Sequence, residues 1–154
     1  MYKSKKILYV LNLFLSFTFI NLNAKSIEVC SSCNIKSIIK AIDYAKDHDT
    51  ILIKKGTYKE FNIIVDKAVT IIGENFPIID GDLKGEIFTI ISNLVTIDGL
   101  FIINVGRSDT KDNAAIRIKR SKKFTIQNNI FQNIFFGIYV EKSVSGKIYN
   151  NKII

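Results

Sequence analysis

The segment SNLVTIDGLFIIN, residues 92–104, returns 29 residues later in related form as SKKFTIQNNIFQN, residues 121–133. Both segments contain a Thr-Ile pair, a turn former two residues after that isoleucine, and a closing asparagine. Related segments occur before and after these two, so the repeats are separated by 26, 29 and 22 residues. Self-similarity sustained at such intervals is typical of stacked repeats. We count each of the four repeats from one reference residue, which we call its mark. The marks are Asp66, Ser92, Ser121 and Ser143.

Two columns of residues define the repeat. An isoleucine stands five residues after each mark, and a residue that favours turns stands seven residues after the same mark. The isoleucines are Ile71, Ile97, Ile126 and Ile148, and the turn formers are Gly73, Gly99, Asn128 and Asn150. Gly and Asn tolerate left-handed backbone angles, so a corner is predicted at the second column. Asn128 and Asn150 are also expected to stack as an amide ladder.

Within each repeat the apolar residues occupy every second position, as in strands that turn one face inward. One repeat cannot bury that face alone, but stacked repeats place isoleucine on isoleucine and pair their backbones in parallel. Parallel crossover connections are almost always right-handed. We therefore predict an all-β fold, a right-handed parallel β-helix solenoid with about four rungs over residues 50–154.

The same register predicts further features upstream and downstream. The longer repeats carry their extra residues at 78–85 and at 106–113, which we expect to be loops leaving the solenoid wall. Asn104 aligns with Asn133. Two upstream columns are predicted, one of Phe61, Ile87, Ile116 and Ile138, and one of Ile63, Thr89, Ile118 and Val140.

Residues 25–49 are interpreted as a leader and a cap. Apolar residues at helical spacing predict an amphipathic helix over residues 34–46, with Asn34 as its N-cap. Such a helix would cover the end of the solenoid, where backbone groups lack partners. Residues 150–154 fall inside a rung, so we expect either that further rungs follow and this chain is the N-terminal part of a longer protein, or that another element caps the last coil.

Residues 1–24 have the pattern of a cleaved signal peptide, with an uncleaved anchor as the alternative. Three lysines precede an apolar stretch at residues 7–20, which is shorter than the roughly 20 residues that span a membrane. Export to the periplasm is therefore expected, with no stable membrane span after cleavage. The net charge of +8 falls to +5 without those lysines, and the remainder are scattered, which argues against nucleic-acid binding.

Several motifs together resemble the NosD family, periplasmic β-helix proteins that help to mature nitrous oxide reductase. They are Cys-Ser-Ser-Cys at 30–33, Asp-Thr-Ile at 49–51, Gly-Thr-Tyr-Lys-Glu at 56–60, Ile-Asp-Gly at 79–81 and Phe-Gly-Ile-Tyr-Val-Glu-Lys-Ser at 136–143. The resemblance implies partnership with the ATPase and membrane subunits of an ABC transporter, and with the reductase or a copper chaperone. It implies a role in assembling a copper–sulfide cluster. The family is often labelled copper-binding and shares its fold with carbohydrate-binding and sugar-hydrolase domains.

Cys30 and Cys33 are the candidate metal ligands. Two thiolates at this spacing can converge on a soft ion such as Cu(I), with His48, the one histidine of the chain, as an optional third ligand. The same spacing can close a redox-active disulfide, or an inert one in an oxidising compartment. His48 is otherwise expected to end the helix, where a cation favours the dipole.

The loop carboxylates carry the enzyme alternative, a polysaccharide-degrading protein of the pectate-lyase kind or a carbohydrate-binding protein. β-helix enzymes place carboxylates beside the coil for calcium binding or acid–base chemistry. Asp in turns more often caps the backbone, and no stripe of exposed aromatics is evident, so an accessory role is preferred over an enzyme. The candidates are Asp80, Asp82, Asp109 and Asp112, with Arg107, Arg117 and Arg120.

Overall fold

Parallel strands in three walls wind about five turns around one apolar interior, in a computed structural model that describes residues 24–108 and 110–154. The prediction of an all-β parallel solenoid with one short helix is confirmed. The proposed signal peptide, apart from Ala24, lies outside the described residues, as does Asp109. Within the described residues, the structure contains no helix with the length and apolarity needed to cross a membrane.

The strands are short because each wall is only a few residues wide. Wall A contains β1 (Ser26–Val29), β2 (Thr50–Ile53), β5 (Thr70–Gly73), β8 (Thr96–Asp98), β11 (Thr125–Gln127) and β14 (Lys147–Tyr149). Wall B contains β3 (Thr57–Tyr58), β6 (Ile78–Asp80), β9 (Phe101–Ile103), β12 (Ile130–Gln132) and β15 (Lys152–Ile153). Wall C contains β4 (Ile63–Val65), β7 (Phe88–Ile90), β10 (Ala114–Lys119) and β13 (Phe136–Glu141).

The isoleucine column of wall A lies in register from coil to coil. Ile97 pairs with Ile71 on one side and with Ile126 on the other, and Ile126 pairs with Ile148. The first three are 0% exposed, whereas Ile148 is 47% exposed. The column also extends upstream through Ile51, so the estimate of about four rungs was too low. The coil from Ile51 to Ile71 escaped prediction because its 20 residues are fewer than in the later repeats, and β1 escaped because the helix separates it from β2.

The upstream register was half wrong. Ile116 does pair with Ile138, but their earlier neighbours in the column are Phe88 and Ile63, not Ile87 and Phe61. The second column has the same error, since β4 and β7 contribute Val65 and Ile90 in place of Ile63 and Thr89. The corner between walls C and A is shorter in the early coils, so counting back from the isoleucines of wall A misplaces these strands.

The corner between walls A and B is built by left-handed residues. Gly99, Asn128 and Asn150 have φ values of 71°, 55° and 54°, as Gly and Asn at a tight corner should. Gly73 differs, because its backbone is not left-handed and a Cβ there would lie 2.4 Å from the carbonyl oxygen of Gly99. Gly73 is therefore required by close approach of two coils.

The predicted amide ladder lies one residue further along the chain. Asn129 is 0% exposed, and its Nδ2 donates to Asn151 Oδ1 at 3.0 Å and to the Ile97 carbonyl at 3.2 Å. Its own Oδ1 accepts the amide of Leu100 at 3.0 Å. Asn128 instead donates to Asp98 on the surface at 2.8 Å. Asn128 at the corner turns the backbone, and its neighbour Asn129 forms hydrogen bonds with buried polar groups.

The cap helix α1 spans Ile38–Tyr44, shorter than the predicted 34–46. Its N-cap is Ser37, not Asn34, and the reason is a carboxylate from the solenoid. Glu60 accepts the amides of Ile38 at 2.8 Å and Ile39 at 3.0 Å, and it accepts the Ser37 hydroxyl at 2.9 Å. A carboxylate at a helix N-terminus pairs with donors that the helix itself leaves unsatisfied.

Loops of unequal length join wall B to wall C. They span residues 59–62, 81–87, 104–113 and 133–135. The expected loop at 106–113 is therefore present within a slightly longer one. The loop expected at 78–85 begins later, because Ile78–Asp80 belongs to β6.

Candidate functional site

Cys30 and Cys33 lie in the connection between β1 and α1, and their sulfurs form a disulfide. The Sγ atoms are 2.13 Å apart, the Cα atoms are 5.0 Å apart, and both residues are half-buried. The Cys33 amide donates to the Cys30 carbonyl at 3.3 Å, and the Cys30 amide donates to the Ile35 carbonyl at 3.2 Å. Cu(I) binding would require this disulfide to be reduced, so the metal role of the pair stays a prediction.

His48 does not end the helix. Helix α1 stops at Tyr44, and His48 lies in the following turn with a φ of 74°, where its amide donates to the Ala68 carbonyl at 2.6 Å. The predicted dipole contact is therefore wrong. The described part of the chain holds no group of three or more His, Cys, Asp or Glu residues placed to hold a metal ion.

A cavity of about 680 Å³ borders the disulfide. We call it the cap groove. It is lined by residues of strand β1 and the residue before it, and also by Cys33, Ile35 and Tyr44, which is 70% exposed. The full lining is Lys25, Ser26, Ile27, Glu28, Ser32, Cys33, Asn34, Ile35 and Tyr44.

The loop carboxylates are engaged in local contacts. Asp80 Oδ1 accepts the Asp82 amide and the Asn104 side chain, each at 2.9 Å, which shapes the turn after β6. Asp82 forms an ion pair with Lys84 at 2.8 Å. That hydrogen bond, together with the positive charges of Lys84 and Lys59, lowers the pKa of Asp82. These contacts fit turn capping and surface pairing.

The three candidate arginines serve different contacts. Arg117 Nε donates to Glu86 at 2.6 Å, with both side chains less than one-fifth exposed, and its guanidinium lies 4.4 Å from the centre of the Tyr139 ring. Arg120 occupies a left-handed turn after β10, where its amide donates to the Glu141 carbonyl. Arg107 lies in the 104–113 loop and lines two surface cavities.

The loops between walls B and C meet in a surface that sequence reasoning missed. We call it the loop face, and its members come from three different loops. Cavities of about 480 and 320 Å³ share Arg107, and a third of about 370 Å³ shares Lys111 and Asn113 with the first. The loop face comprises Leu83, Arg107, Lys111, Asn113, Asn133 and Phe135.

The loop face combines exposed apolar groups with positive charge. Phe135 is 74% exposed and Leu83 is 56% exposed. Arg107 and Lys111 line the same cavity as Phe135, and neither appears in the ion pairs that the described residues form. The inserted length at 104–113 and the Phe-Phe pair at 135–136 were the signals available in the sequence. Their convergence depends on loop geometry that the repeat pattern does not specify.

Tyr58 and Glu60 were also missed as positioning residues. The Tyr58 hydroxyl donates to a main-chain carbonyl oxygen, with Val29 at 3.0 Å and Lys54 at 2.8 Å as its two partners. Glu60 holds the N-terminus of α1. The Gly-Thr-Tyr-Lys-Glu element thus anchors the cap and the disulfide connection to the first complete coil.

One curated protein shows a distant similarity to this chain. It is the "Probable ABC transporter binding protein NosD" of Pseudomonas aeruginosa, 27% identical over 93 residues. The match covers 60% of this chain and 22% of the length of that relative. No protein-family model matches the chain, and no solved structure matches it. The similarity supports a NosD-like β-solenoid without establishing membership of a specific family.

Proposed function

We propose that the chain acts in the periplasm as part of a NosD-like accessory protein that works with an ABC transporter in the maturation of nitrous oxide reductase. The observation that carries this proposal is the 93-residue match to a protein named for binding an ABC transporter. The stacked-coil fold and the motifs at residues 30–33, 56–60 and 136–143 support it.

The loop face is the proposed contact surface for the transporter or the reductase. Protein interfaces favour exposed aromatic anchors and arginines surrounded by polar residues. Phe135 supplies the anchor, while Arg107 and Lys111 supply charge that attracts an acidic partner surface. Each of these loops begins and ends in a hydrogen-bonded strand, so the walls fix the points from which the loops leave the coil.

The reduced pair Cys30 and Cys33 is proposed to hold Cu(I) transiently during transfer. Thiolates are the ligands that Cu(I) prefers, and two of them suffice for its low coordination number. Copper here is cargo. Titration of the reduced protein with Cu(I) tests this role, and binding should weaken strongly in Cys30→Ser and Cys33→Ser. If both variants bind as tightly as the parent protein, the thiolate proposal is wrong.

Gene deletion tests the accessory role directly. We expect the deletant to make a reductase that is poor in copper and inactive, and the wild-type gene to restore nitrous oxide reduction. Complementation with Phe135→Ala should restore less activity than complementation with Phe76→Ala. Phe76 is the matched control, since it is 47% exposed but lies between β5 and β6 away from the loop face. A fully active, copper-replete reductase in the deletant would contradict the proposal.

A carbohydrate-binding or polysaccharide-degrading role is the second candidate, and the exposed ring of Phe135 beside Arg107 and Lys111 favours it. An aromatic face can stack on a sugar ring, and the cations can bind uronic acids. Screening uronic-acid polymers with and without calcium separates the two candidates. Turnover that disappears in Asp80→Asn would favour the enzyme, whereas no binding and no turnover would remove it.

A further inference from the structure

Strand β1 presents a partly unpaired backbone edge to the cap groove. Along its length β1 pairs with β2, and on its other edge Val29 forms a bridge with Ile35, where the Cys30 amide donates to the Ile35 carbonyl, so the free part of that edge lies beside Ser26 and the Glu28 amide. Thr50 donates to the Lys25 carbonyl and Lys54 donates to the Val29 carbonyl. In a parallel ladder alternate residues point their backbone groups to opposite sides, so Ser26 and Glu28 direct theirs away from β2. Such an edge is a template for another extended segment.

The groove has the dimensions of an extended peptide. A four-residue strand such as β1 is about 13 Å long, since each residue advances about 3.3 Å. The cavity beside it has a volume of about 680 Å³. The lining includes the apolar residue Ile35 and the exposed Tyr44, which can contact the side chains of a bound segment. Lys25 and Glu28 add one charge of each sign to the lining.

The two cysteines of the disulfide differ in their position relative to this groove. Cys33 lines the cavity, whereas Cys30 does not. Cys30 Sγ lies 3.3 Å from the Ser32 hydroxyl. That hydroxyl can donate to a thiolate at Cys30 and so stabilise it as a leaving group. Attack on Cys33 from the groove would therefore release the sulfur that already has a hydrogen-bond partner.

We propose that the cap groove binds an extended, cysteine-containing segment of another protein and exchanges its thiols with the Cys30–Cys33 disulfide. The partner thiolate attacks Cys33 Sγ, a partner–Cys33 disulfide forms, and the Cys30–Cys33 bond breaks to leave a thiolate on Cys30. A second partner thiolate then attacks its own sulfur in the mixed disulfide. The partner leaves oxidised to a disulfide, and Cys30 and Cys33 remain as the reduced dithiol after proton uptake.

Reaction of the wild-type protein with synthetic peptides tests the groove without any variant. The probe is a reduced peptide of threonine and valine with two cysteines, and its control carries proline beside the cysteines. Proline removes backbone N–H groups needed for pairing with β1. We expect the threonine–valine peptide to reduce the disulfide about tenfold faster than the proline peptide, with saturation, since about 1.4 kcal/mol of binding gives that factor. Equal rates that rise linearly with concentration would overturn the proposal.

Two matched variants identify the attacked sulfur. Cys30→Ser and Cys33→Ser both remove the disulfide and each leaves one thiol. A peptide activated as its thionitrobenzoate disulfide should be captured faster by Cys30→Ser, whose remaining thiol is Cys33 at the groove. Equal capture by the two variants would contradict the assignment of Cys33. This readout requires neither copper nor a transporter, so it can fail while the accessory role stands.

Substitution of the groove wall completes the test. Tyr44→Ala should lower the rate of the threonine–valine peptide toward that of the proline peptide, because Tyr44 lines the groove. Ile39→Ala is the control, since Ile39 is 40% exposed on the same helix and does not line the groove. A rate that falls equally in both variants would point to a general effect on the helix and would overturn the role given to the groove.

Discussion

Within each coil, the corner between walls A and B has a nearly constant length, whereas the loop between walls B and C varies in length. The corner between walls A and B has two residues in the last three coils, and a left-handed Gly or Asn begins each of them. The connection between walls B and C ranges from 133–135, the shortest loop, to 104–113, the longest. Coil stacking requires the corner, because neighbouring backbones must stay in register. The variable side carries the exposed anchor and the cations, so the fold and the proposed binding surface depend on different residues.

The largest effect is expected at the interior of the corner. Replacing Asn129 with leucine removes a fully buried amide, leaves the Leu100 amide without its acceptor and removes one hydrogen bond to the Ile97 carbonyl. We expect the free energy of unfolding to fall by about 2–4 kcal/mol, measured by urea denaturation. Asn128→Gly keeps the turn and loses one surface hydrogen bond, so it should cost no more than about 1 kcal/mol. Equal losses in the two variants would show that Asn129 is not the interior support.

Backbone geometry at the same corner should have the next largest effect. Gly99→Ala puts a Cβ on a residue with a φ of 71°, 3.0 Å from the Gly73 carbonyl oxygen. The left-handed conformation alone costs about 1–2 kcal/mol for a residue with a side chain. Gly56→Ala is the control, because its Cβ would meet only the Tyr58 ring at 3.5 Å or more. If Gly56→Ala lowers the thermal midpoint as much as Gly99→Ala, the corner has no special backbone requirement.

The dependence of stability on acid pH should differ between the buried carboxylate of Asp49 and the loop carboxylate of Asp82. Asp49 is 5% exposed, and the backbone amides of Lys46 and Lys25 donate to it at 2.8 Å, which lowers its pKa below 3.8. A lowered pKa in the folded state stabilises the protein above pH 3.8, and this stabilisation is lost as the pH falls below that value. Unfolding measured from pH 6 to pH 2.5 should therefore become less acid-sensitive in Asp49→Asn.

Asp82→Asn is the control for that experiment. The pKa of Asp82 is also lowered, first by its hydrogen bond to Lys84, but the pair is exposed and screened by solvent. The acid sensitivity of this variant should match that of the wild type. A pH profile that changes more in Asp82→Asn than in Asp49→Asn would contradict the distinction between core and loops.

The smallest effect on folding is expected at the loop face. Phe135→Ala should change the free energy of unfolding by no more than about 0.5 kcal/mol, because the ring is 74% exposed. Its effect should appear in complementation of nitrous oxide reduction. Calorimetry of the purified variant checks this point, and a loss above about 2 kcal/mol would show that the ring supports the coil.

Much of wall A could be predicted because its rule is simple and repeats. The isoleucine column follows from counting along the chain. Gly99, Asn128 and Asn150 indicate the corner because Gly and Asn tolerate left-handed backbone angles. The ladder was assigned to the wrong asparagine because Asn128 and Asn129 are chemically identical. Only their orientation decides which one turns the chain and which one lies in the interior.

The remaining errors arise where contacts join distant segments. The helix begins at Ile38 because Glu60, 22 residues away, accepts its first amide, and no local pattern contains that information. Walls C and A are joined by corners of different lengths, which shifted Phe61 and Ile87 out of the predicted column. The loop face is assembled from three loops whose conformations depend on one another. Periodicity therefore predicts wall A and the later strands of wall C, and it leaves the early strands of wall C, the cap and the sites undetermined.

Stacking of successive coils is the central claim, and contacts between isoleucine methyl groups measure it most directly. In a sample labelled only at isoleucine methyls, nuclear Overhauser effects should connect Ile51 to Ile71, Ile71 to Ile97, and Ile97 to Ile126. These pairs are separated by 20 to 29 residues, so only vertical stacking brings them together. If these contacts are absent in the folded protein, or if Ile97 contacts neither Ile71 nor Ile126, the account is wrong.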